Sequence, residues 1–223
     1  MKKVYDTINQ YCVEHDLLMN GDGIVIGLSG GVDSVCLLQV LAALRNEWQL
    51  RLVCVHVHHG IRGTAADEDA AFAQRLAAKY NISFRLYEMD IPQLAKEQGL
   101  SEEEAGRNYR YRCFEEVRKE LNFDKIAVAH HRDDQAETVL WQILRGSGLR
   151  GVCGMRAGRA NIIRPLLCLD RQQIEQIVRG NGDGWREDAT NREEKYTRNK
   201  IRNRVFPYIE QEIQPMARRH LVE

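Results

Sequence analysis

Residues 23–44, GIVIGLSGGVDSVCLLQVLAAL, give the clearest indication of the fold class. The first part, Gly23–Leu28, is short, apolar and rich in β-branched residues, which predicts a buried strand. The apolar run resumes at Val35–Leu44 and predicts a helix that is buried on most sides. Between them, the hexapeptide SGGVDS at 29–34 predicts a tight strand-to-helix turn, because glycine allows backbone conformations that other residues disfavour.

The rest of the chain repeats this alternation. Further strands are predicted at Arg51–Val57, Ser83–Met89 and Lys125–Ala129, and helices at Tyr5–Tyr11, Asp67–Lys79, Ser101 to about Leu121, Asp133–Arg145, Asp170–Arg179 and from about Glu193. The predicted fold class is therefore α/β, a doubly wound, mostly parallel sheet with helices on both faces. In such sheets ligands bind beyond the carboxyl ends of the strands, at the point where the strand order reverses. The stretch Arg145–Arg159, rich in glycine and arginine, interrupts the pattern and predicts a mobile connector.

Composition excludes several classes of protein. The 223 residues are 43% hydrophobic and 29% charged, a globular mixture without an apolar run long enough to cross a membrane. The N-terminus lacks the apolar core of a secretory signal, which favours the cytoplasm. Six cysteines at irregular spacing, with no CxxC pair, predict reduced and mostly packed thiols. The net charge is zero, but residues 141–223 contain 16 Lys and Arg against 10 Asp and Glu, which suggests either a bound polyanion or an ordinary solvated surface.

The hexapeptide has the features of a phosphate site. Its glycines expose backbone N–H groups, the following helix adds the positive end of its dipole, and Ser29 and Ser34 add hydroxyl donors. Asp33 would repel phosphate unless it held a Mg²⁺ that also binds the phosphates. The motif is not a Walker A loop, because no Gly-Lys-Ser/Thr follows. The alternative is a plain turn in which Asp33 or Ser34 caps the helix.

A second polar cluster, AHHRDDQAET at 129–138, also follows a predicted strand. Asp134 and Glu137 are three residues apart, so their carboxylates share a helix face and suit a Mg²⁺ or a cationic amine. The alternative is helix capping with a solvated face. RNYRYR at 107–112 places Arg107 and Arg110 on one helix face, where they form either a phosphate clamp or a solvated surface. In HVHHGIRG at 56–63, His58 and His59 either contact a nucleotide base or a nucleic acid, or are solvated.

Together these segments resemble the tRNA(Ile)-lysidine synthetase family, a branch of the PP-loop ATP pyrophosphatases. The resemblance covers nearly the whole chain and rests on SGGVDS (29–34), HHGIRGTAADED (58–69), EEEAGRNYRYR (102–112), AHHRDDQAET (129–138), RGSGLRGVCGM (145–155), RPLL (164–167) and EDATNREEKYTRNKIRNRVFP (187–207). Gly106 replaces the usual Ala, and Ala189-Thr190 the usual Pro-Ser. Family members usually carry further C-terminal material, so a catalytic fragment or a minimal form is expected.

The resemblance implies a ligase that forms a C–N bond. ATP adenylates the C2 oxygen of the wobble cytidine in the isoleucine tRNA with a CAU anticodon, and pyrophosphate leaves. The ε-amine of free L-lysine then attacks C2 and expels AMP. The resemblance also implies a catalytic core over residues 1–150, a basic part with the start of a tRNA-binding region over 151–223, and a homodimer, since relatives are often dimers.

The same resemblance implies roles for individual residues. ATP would be bound by the turn and by His130, and Asp33 would hold Mg²⁺. Arg110 would stabilise charge at the α-phosphate or the activated base, while Asp134 and Glu137 would bind the lysine ammonium or a metal. Contacts to tRNA phosphates are expected from four arginines: Arg145, Arg150, Arg198 and Arg202. The full set for ATP is Ser29, Gly30, Gly31, Val32, Asp33, Ser34 and His130.

Two other functions compete with this one. A tRNA thiolase of the same superfamily needs cysteines that carry sulfur or bind an iron–sulfur cluster, usually as CxxC, and the sequence has no such pair. A non-catalytic nucleotide-binding module would not need Arg110, Asp134 and Glu137 around the phosphate turn.

Overall fold

The structure is a computed structural model that describes residues 2–58, 64–148, 153–186 and 197–223. A single sheet of six strands organises it, in the order β3-β2-β1-β4-β6-β5. The strands are β1 (Gly23–Gly27), β2 (Arg51–His58), β3 (Ser83–Glu88), β4 (Lys125–Ala127), β5 (Gly158–Arg159) and β6 (Ile162–Ile163). All neighbours are parallel except β5 and β6. The predicted fold class is therefore confirmed.

Helices connect the strands. They are α1 (Lys2–Glu14), α2 (Val32–Leu44), α3 (Thr64–Lys79), α4 (Ile91–Gln98), α5 (Glu102–Glu120), α6 (Arg132–Leu144), α7 (Arg171–Gly180), α8 (Thr197–Lys200), α9 (Phe206–Glu212) and α10 (Ala217–His220). A 3₁₀ turn covers Pro165–Cys168, and a π-helical turn at Ile201–Val205 joins α8 to α9. The start of the helix predicted from about Glu193 lies outside the described residues.

Besides the two-residue strands β5 and β6, the sequence pattern did not predict helix α4. It is short, and its ends are fixed by local chemistry rather than by apolar periodicity. The Asp90 side chain accepts a hydrogen bond from the Gln93 N–H at the start, and Gly99 ends the helix in a left-handed conformation with φ +66°. An eight-residue helix offers too few turns for the period of 3.6 to stand out in the sequence.

The core has two layers, one on each face of the sheet. Ile24 and Ile26 of β1 pack into the layer formed with α1, α2, α3 and α7, while Val25 between them packs into the layer formed with α4 and α5. Successive strand residues point to opposite faces, so a strand covered on both sides must be apolar throughout. This explains the uninterrupted apolar run of β1.

The strand order reverses between β1 and β4. The chain moves from β1 outward to β2 and β3, and then crosses to β4 on the other side of β1. The helices that follow β1 and β4 therefore begin side by side at the carboxyl edge of the sheet. β6 extends the sheet beyond β4 and α7 packs into the first core layer, so the chain on both sides of residue 150 shares one core. The functional division at that residue remains a prediction.

No helix in the described ranges is both long and apolar enough to span a bilayer.

Close packing of α5 against β1 predicts that Gly27→Ala destabilises the fold. A Cβ at Gly27 would lie 2.7 Å from Cζ of the buried Phe114 ring, so the ring or the strand must shift. We expect a loss of about 1–3 kcal/mol in the free energy of unfolding, measured by urea denaturation. Gly184→Ala is the matched control, because a Cβ there meets no atom within 4 Å. Equal stability of the two variants would contradict this packing.

Candidate functional site

The turn SGGVDS joins β1 to α2 at the carboxyl edge of the sheet. Gly30 adopts φ +92°, a conformation that only glycine takes readily. The buried Ser34 hydroxyl organises the turn: it accepts hydrogen bonds from the N–H groups of Ser29 (3.2 Å) and Gly30 (3.1 Å) and donates to the Gly31 carbonyl (2.8 Å). Two of the N–H groups expected to face a ligand are thus bonded to Ser34. The donors that remain are those of the first turn of α2, beginning at Val32, which have no partner within the helix.

Arg186, which is more than 150 residues further along the chain, packs against this turn. Its N–H donates to the Gly30 carbonyl at 2.9 Å. Its guanidinium binds Asp69 at 2.8 Å and Glu68 at 2.7 Å, both on α3. Phe72 of α3 also lies 3.4 Å from where a Cβ of Gly30 would be, so the turn is closely packed on this side. The sequence analysis missed Arg186, since nothing local links it to a turn more than 150 residues away.

Asp33 projects from the first turn of α2 and is partly buried. Both carboxylate oxygens accept from Nη1 of Arg171, each at 3.0 Å, and Oδ1 lies 3.7 Å from Nε2 of His131. Burial raises the pKa of Asp33 above its ordinary value, although His131 and Arg171 oppose this. Arg171, at the start of α7, was also missed by the sequence analysis. The carboxylate that was predicted to hold Mg²⁺ therefore has a guanidinium group as its partner in this structure.

His131 connects the two predicted clusters. It is the N-cap of α6, and its Nδ1 accepts the N–H of Asp133 at 3.3 Å while Asp134 Oδ2 accepts the N–H of His131 at 3.0 Å. Because Nδ1 is an acceptor, Nε2 carries the proton, and it faces Asp33 at 3.7 Å and Asp134 at 3.5 Å. The structure therefore brings Asp33 and Asp134 together on either side of one imidazole.

Asp134 and Glu137 share one face of α6, as predicted, and both are buried. Their partners are two arginines one helical turn apart. Arg198 contacts Glu137 at 2.9 Å and Asp134 at 3.0 Å, and Arg202 contacts the same two carboxylates at 2.6 Å and 2.8 Å. Burial alone would raise the pKa of Asp134, but His131 and the two arginines outweigh it and lower that pKa to about 2. Asp134 is therefore ionised at neutral pH.

Two of the arginines that were predicted to contact tRNA are paired with carboxylates of the chain itself. Arg198 and Arg202 were expected to meet tRNA phosphates, whereas their guanidinium groups lie against Asp134 and Glu137. The π-helical turn that contains Arg202 places it on the same side as Arg198. Their contact with RNA remains a prediction.

The other predicted residues lie in three different settings. His130 follows β4, and its Nδ1 accepts from Nε of Arg164 at 3.3 Å; burial lowers the pKa of His130 to about 4. Arg110 is exposed on α5, and its charge acts on His56 at the end of β2. Arg145 stacks on Trp141, 5.5 Å from the ring centroid. Arg150 lies outside the described residues, as do residues 59–63 of the histidine-rich segment.

The arrangement combines a glycine turn at a helix N-terminus with two buried, arginine-paired carboxylates and an imidazole between Asp33 and Asp134, at the reversal point of a parallel sheet. A family model described as the PP-loop domain matches residues 2–209. The chain belongs to the PP-loop domain family. This confirms the superfamily that the motifs predicted.

Curated relatives of this PP-loop chain are named tRNA(Ile)-lysidine synthase. The protein from Caldanaerobacter subterraneus subsp. tengcongensis is 48% identical over 95% of this chain and 44% of its own length. The protein from Bacteroides thetaiotaomicron is 36% identical over 99% of this chain and 50% of its own length. The resemblance drawn from the motifs is confirmed, and the chain spans about half the length of these relatives.

Solved structures share the fold. The U34-tRNA thiolase NcsA from Methanococcus maripaludis matches with a TM-score of 0.76 at 18% identity, covering 99% of this chain and 76% of that one. An NH3-dependent NAD synthetase from Campylobacter jejuni matches with a TM-score of 0.53 at 16% identity, covering 99% and 89%. At these identities the likeness concerns the architecture alone.

The lowered pKa of Asp134 predicts a specific acid sensitivity. Because that pKa is lower in the folded state than in the unfolded state, ionised Asp134 stabilises the fold above its unfolded pKa, and this contribution is lost as the pH falls to about 2. Asp134→Asn should therefore cost about 2 kcal/mol near pH 6, and the difference from wild type should close between about pH 4 and about pH 2. Denaturant titrations across this range measure it.

Asp6→Asn on the exposed side of α1 is the control and should leave the pH profile unchanged. A pH-independent difference between wild type and Asp134→Asn would mean that the carboxylate charge does not stabilise the fold.

Proposed function

We propose that this PP-loop chain carries the two-step chemistry of a tRNA(Ile)-lysidine synthase, a ligase that forms a C–N bond. The observation that carries the proposal is the placement of His131 between Asp33 and Asp134, since it joins the phosphate turn to the buried carboxylate pair. The names of the relatives, which align with 91–99% of this chain, indicate an isoleucine tRNA as the substrate and lysidine as the product. The CAU anticodon and free L-lysine are taken from the resemblance of the motifs, and ATP from that resemblance and from the PP-loop domain.

In the first step the turn at residues 29–34 holds the β- and γ-phosphates of ATP. The first N–H groups of α2 and the dipole of that helix supply the positive potential. Asp33 offers one carboxylate at the start of α2 and would hold a phosphate-bound Mg²⁺ in place of its present partner Arg171. The ion supplies charge neutralisation of the phosphates. The C2 oxygen of the wobble cytidine attacks the α-phosphate, and pyrophosphate leaves.

In the second step the lysine ε-amine attacks C2 and AMP leaves. The amine must be neutral to attack, so its proton has to pass to a nearby base. Asp134 and Glu137 provide the negative charge that a lysine ammonium requires, as their contacts with two guanidinium groups illustrate. We assign proton acceptance to this carboxylate pair, whose two members contact the same two arginines.

The burial of the cysteines argues against the alternative function, a tRNA thiolase. Four of the six are buried, and burial raises the pKa of Cys12 and Cys54 to about 12. Such thiols stay protonated at neutral pH and are poor nucleophiles and poor metal ligands. Within the described ranges, no group of three or more His, Cys, Asp or Glu side chains is arranged to hold a metal ion.

Product analysis tests the proposal. The protein is incubated with ATP, L-lysine and a transcript of the isoleucine tRNA, and the products are separated by chromatography and mass spectrometry. We expect AMP, pyrophosphate and a cytidine heavier by one lysine residue, each dependent on the tRNA. Release of ADP, a cytidine that gains sulfur, or the absence of turnover would each contradict the proposal.

Asp33→Ala should abolish pyrophosphate release, because it removes the carboxylate predicted to hold the phosphate-bound Mg²⁺. Asp6→Ala is the control for the same change in charge away from the site. Melting temperatures of both variants show whether the fold persists. Wild-type pyrophosphate release by folded Asp33→Ala would refute the assigned role.

A further inference from the structure

Arg164 is a buried cation whose described partners carry no charge. It follows β6 directly and is only 8% exposed. Its Nη1 donates to the Arg156 carbonyl at 2.9 Å and its Nε donates to Nδ1 of His130 at 3.3 Å. His130 is neutral near pH 7, because burial lowers its pKa to about 4. Across the described part of the chain, no carboxylate oxygen lies within 4.0 Å of this guanidinium.

The neighbours of Arg164 add positive charge. Arg107 on α5 and Arg159 on β5 both act electrostatically on it, and burial together with these charges lowers the pKa of Arg164. Arg107 lies over the Tyr111 ring at 5.1 Å, and Arg159 is exposed. Neither forms an ion pair with a described carboxylate. Burial of a cation among like charges is costly, and an anion held between them would offset that cost.

The other buried arginine cluster of this edge shows the contrast. Arg198 and Arg202 are less buried than Arg164, yet each contacts two carboxylates. Arg198 and Arg202 therefore have carboxylate partners, whereas Arg164 has none among the described residues. The missing charge is what a bound ligand would supply.

The position of Arg164 indicates which ligand this is. β6 is separated from β1 by β4, so Arg164 lies about 10 Å along the sheet edge from the phosphate turn, at about 4.8 Å per strand. Its guanidinium reaches as far as His130, which follows β4, and among the described residues it has no hydrogen bond to the turn. The edge beyond β4 is instead the side from which a second substrate can approach the carboxylate pair.

We propose that Arg164, flanked by Arg107 and Arg159, binds a backbone phosphate of the RNA substrate next to the base that reacts. This inference rests on the proposed function and adds a positioning residue to it. Arginine suits the task, because it keeps its charge when buried and offers five N–H donors, so that it can bind a phosphate while other donors are engaged. The neutral His130 orients the guanidinium by accepting from Nε, and Nη2 is the donor that we assign to the phosphate.

The test compares Arg164→Gln with wild type in binding a hairpin RNA that carries the CAU anticodon loop. Fluorescence anisotropy is measured at several salt concentrations. We expect at least tenfold weaker binding, and a slope of log affinity against log salt that is shallower by about 0.7, the value for one phosphate contact to a single strand. Arg179→Gln is the matched control, since it removes the same charge from the exposed end of α7 and should change neither quantity.

Two further measurements separate this role from others. The melting temperature of Arg164→Gln without RNA should equal or exceed that of wild type, because the substitution removes a buried charge that has no carboxylate partner. A clear drop in melting temperature would show that Arg164 has a structural role and would overturn the proposal. ATP affinity should be unchanged, and a loss confined to ATP would assign Arg164 to the nucleotide and overturn the RNA assignment. Hairpin binding equal to wild type, or no hairpin binding by wild type, would also overturn it. Failure of the proposed function appears separately, in the product analysis.

Discussion

The contact of His131 with Asp33 and Asp134 depends on how the sheet is built. β1 and β4 are adjacent parallel strands, and each is followed by a helix that starts at the same edge. Both faces of the sheet are covered, so polar side chains near the strands can collect only where the strands end. The N-cap of α6 and the first turn of α2 are thereby brought within 3.7 Å of each other. Every other feature of the site is arranged around this junction.

Three buried or half-buried carboxylates at one edge would repel one another without compensation. Asp33 is paired with Arg171, and Asp134 and Glu137 are paired with Arg198 and Arg202. A buried ion pair contributes little net stability, but leaving one partner alone is costly. The network therefore fixes the relative positions of α2, α6, α7 and the helical segment 197–205 more than it strengthens the fold. The pairing also keeps Asp134 ionised at neutral pH, since its pKa is about 2.

Local signals in the sequence were sufficient for the fold and for half of the site. The turn at 29–34 and the spacing of Asp134 and Glu137 are both read within one or two helical turns. The cap at His131 was not predicted. The cations that complete the site are not local: Arg171 is 138 residues from Asp33, and Arg202 is 65 residues from Glu137. No periodicity links residues so far apart, and an arginine on a charged helix has the same pattern whether it faces solvent or a carboxylate. Helix α4 was missed for the opposite reason, since it is too short to show a period.

Composition suggested that the uneven charge of the chain reflects either a bound polyanion or a solvated surface. In the structure, ion pairs within the fold account for much of it. Arg171, Arg186, Arg198 and Arg202 belong to the basic last third, and their partners, Asp33, Glu68, Asp69, Asp134 and Glu137, belong to the acidic first part. Much of the asymmetry is thus complementarity within one fold. Net charge of a segment is therefore a poor measure of its affinity for nucleic acid when the segment closes onto an oppositely charged one. What distinguishes Arg159 and Arg164 is that they belong to the same basic third and yet have no described carboxylate. Under the proposed function, the arginines that contact RNA are therefore expected among those that the fold leaves without a carboxylate partner.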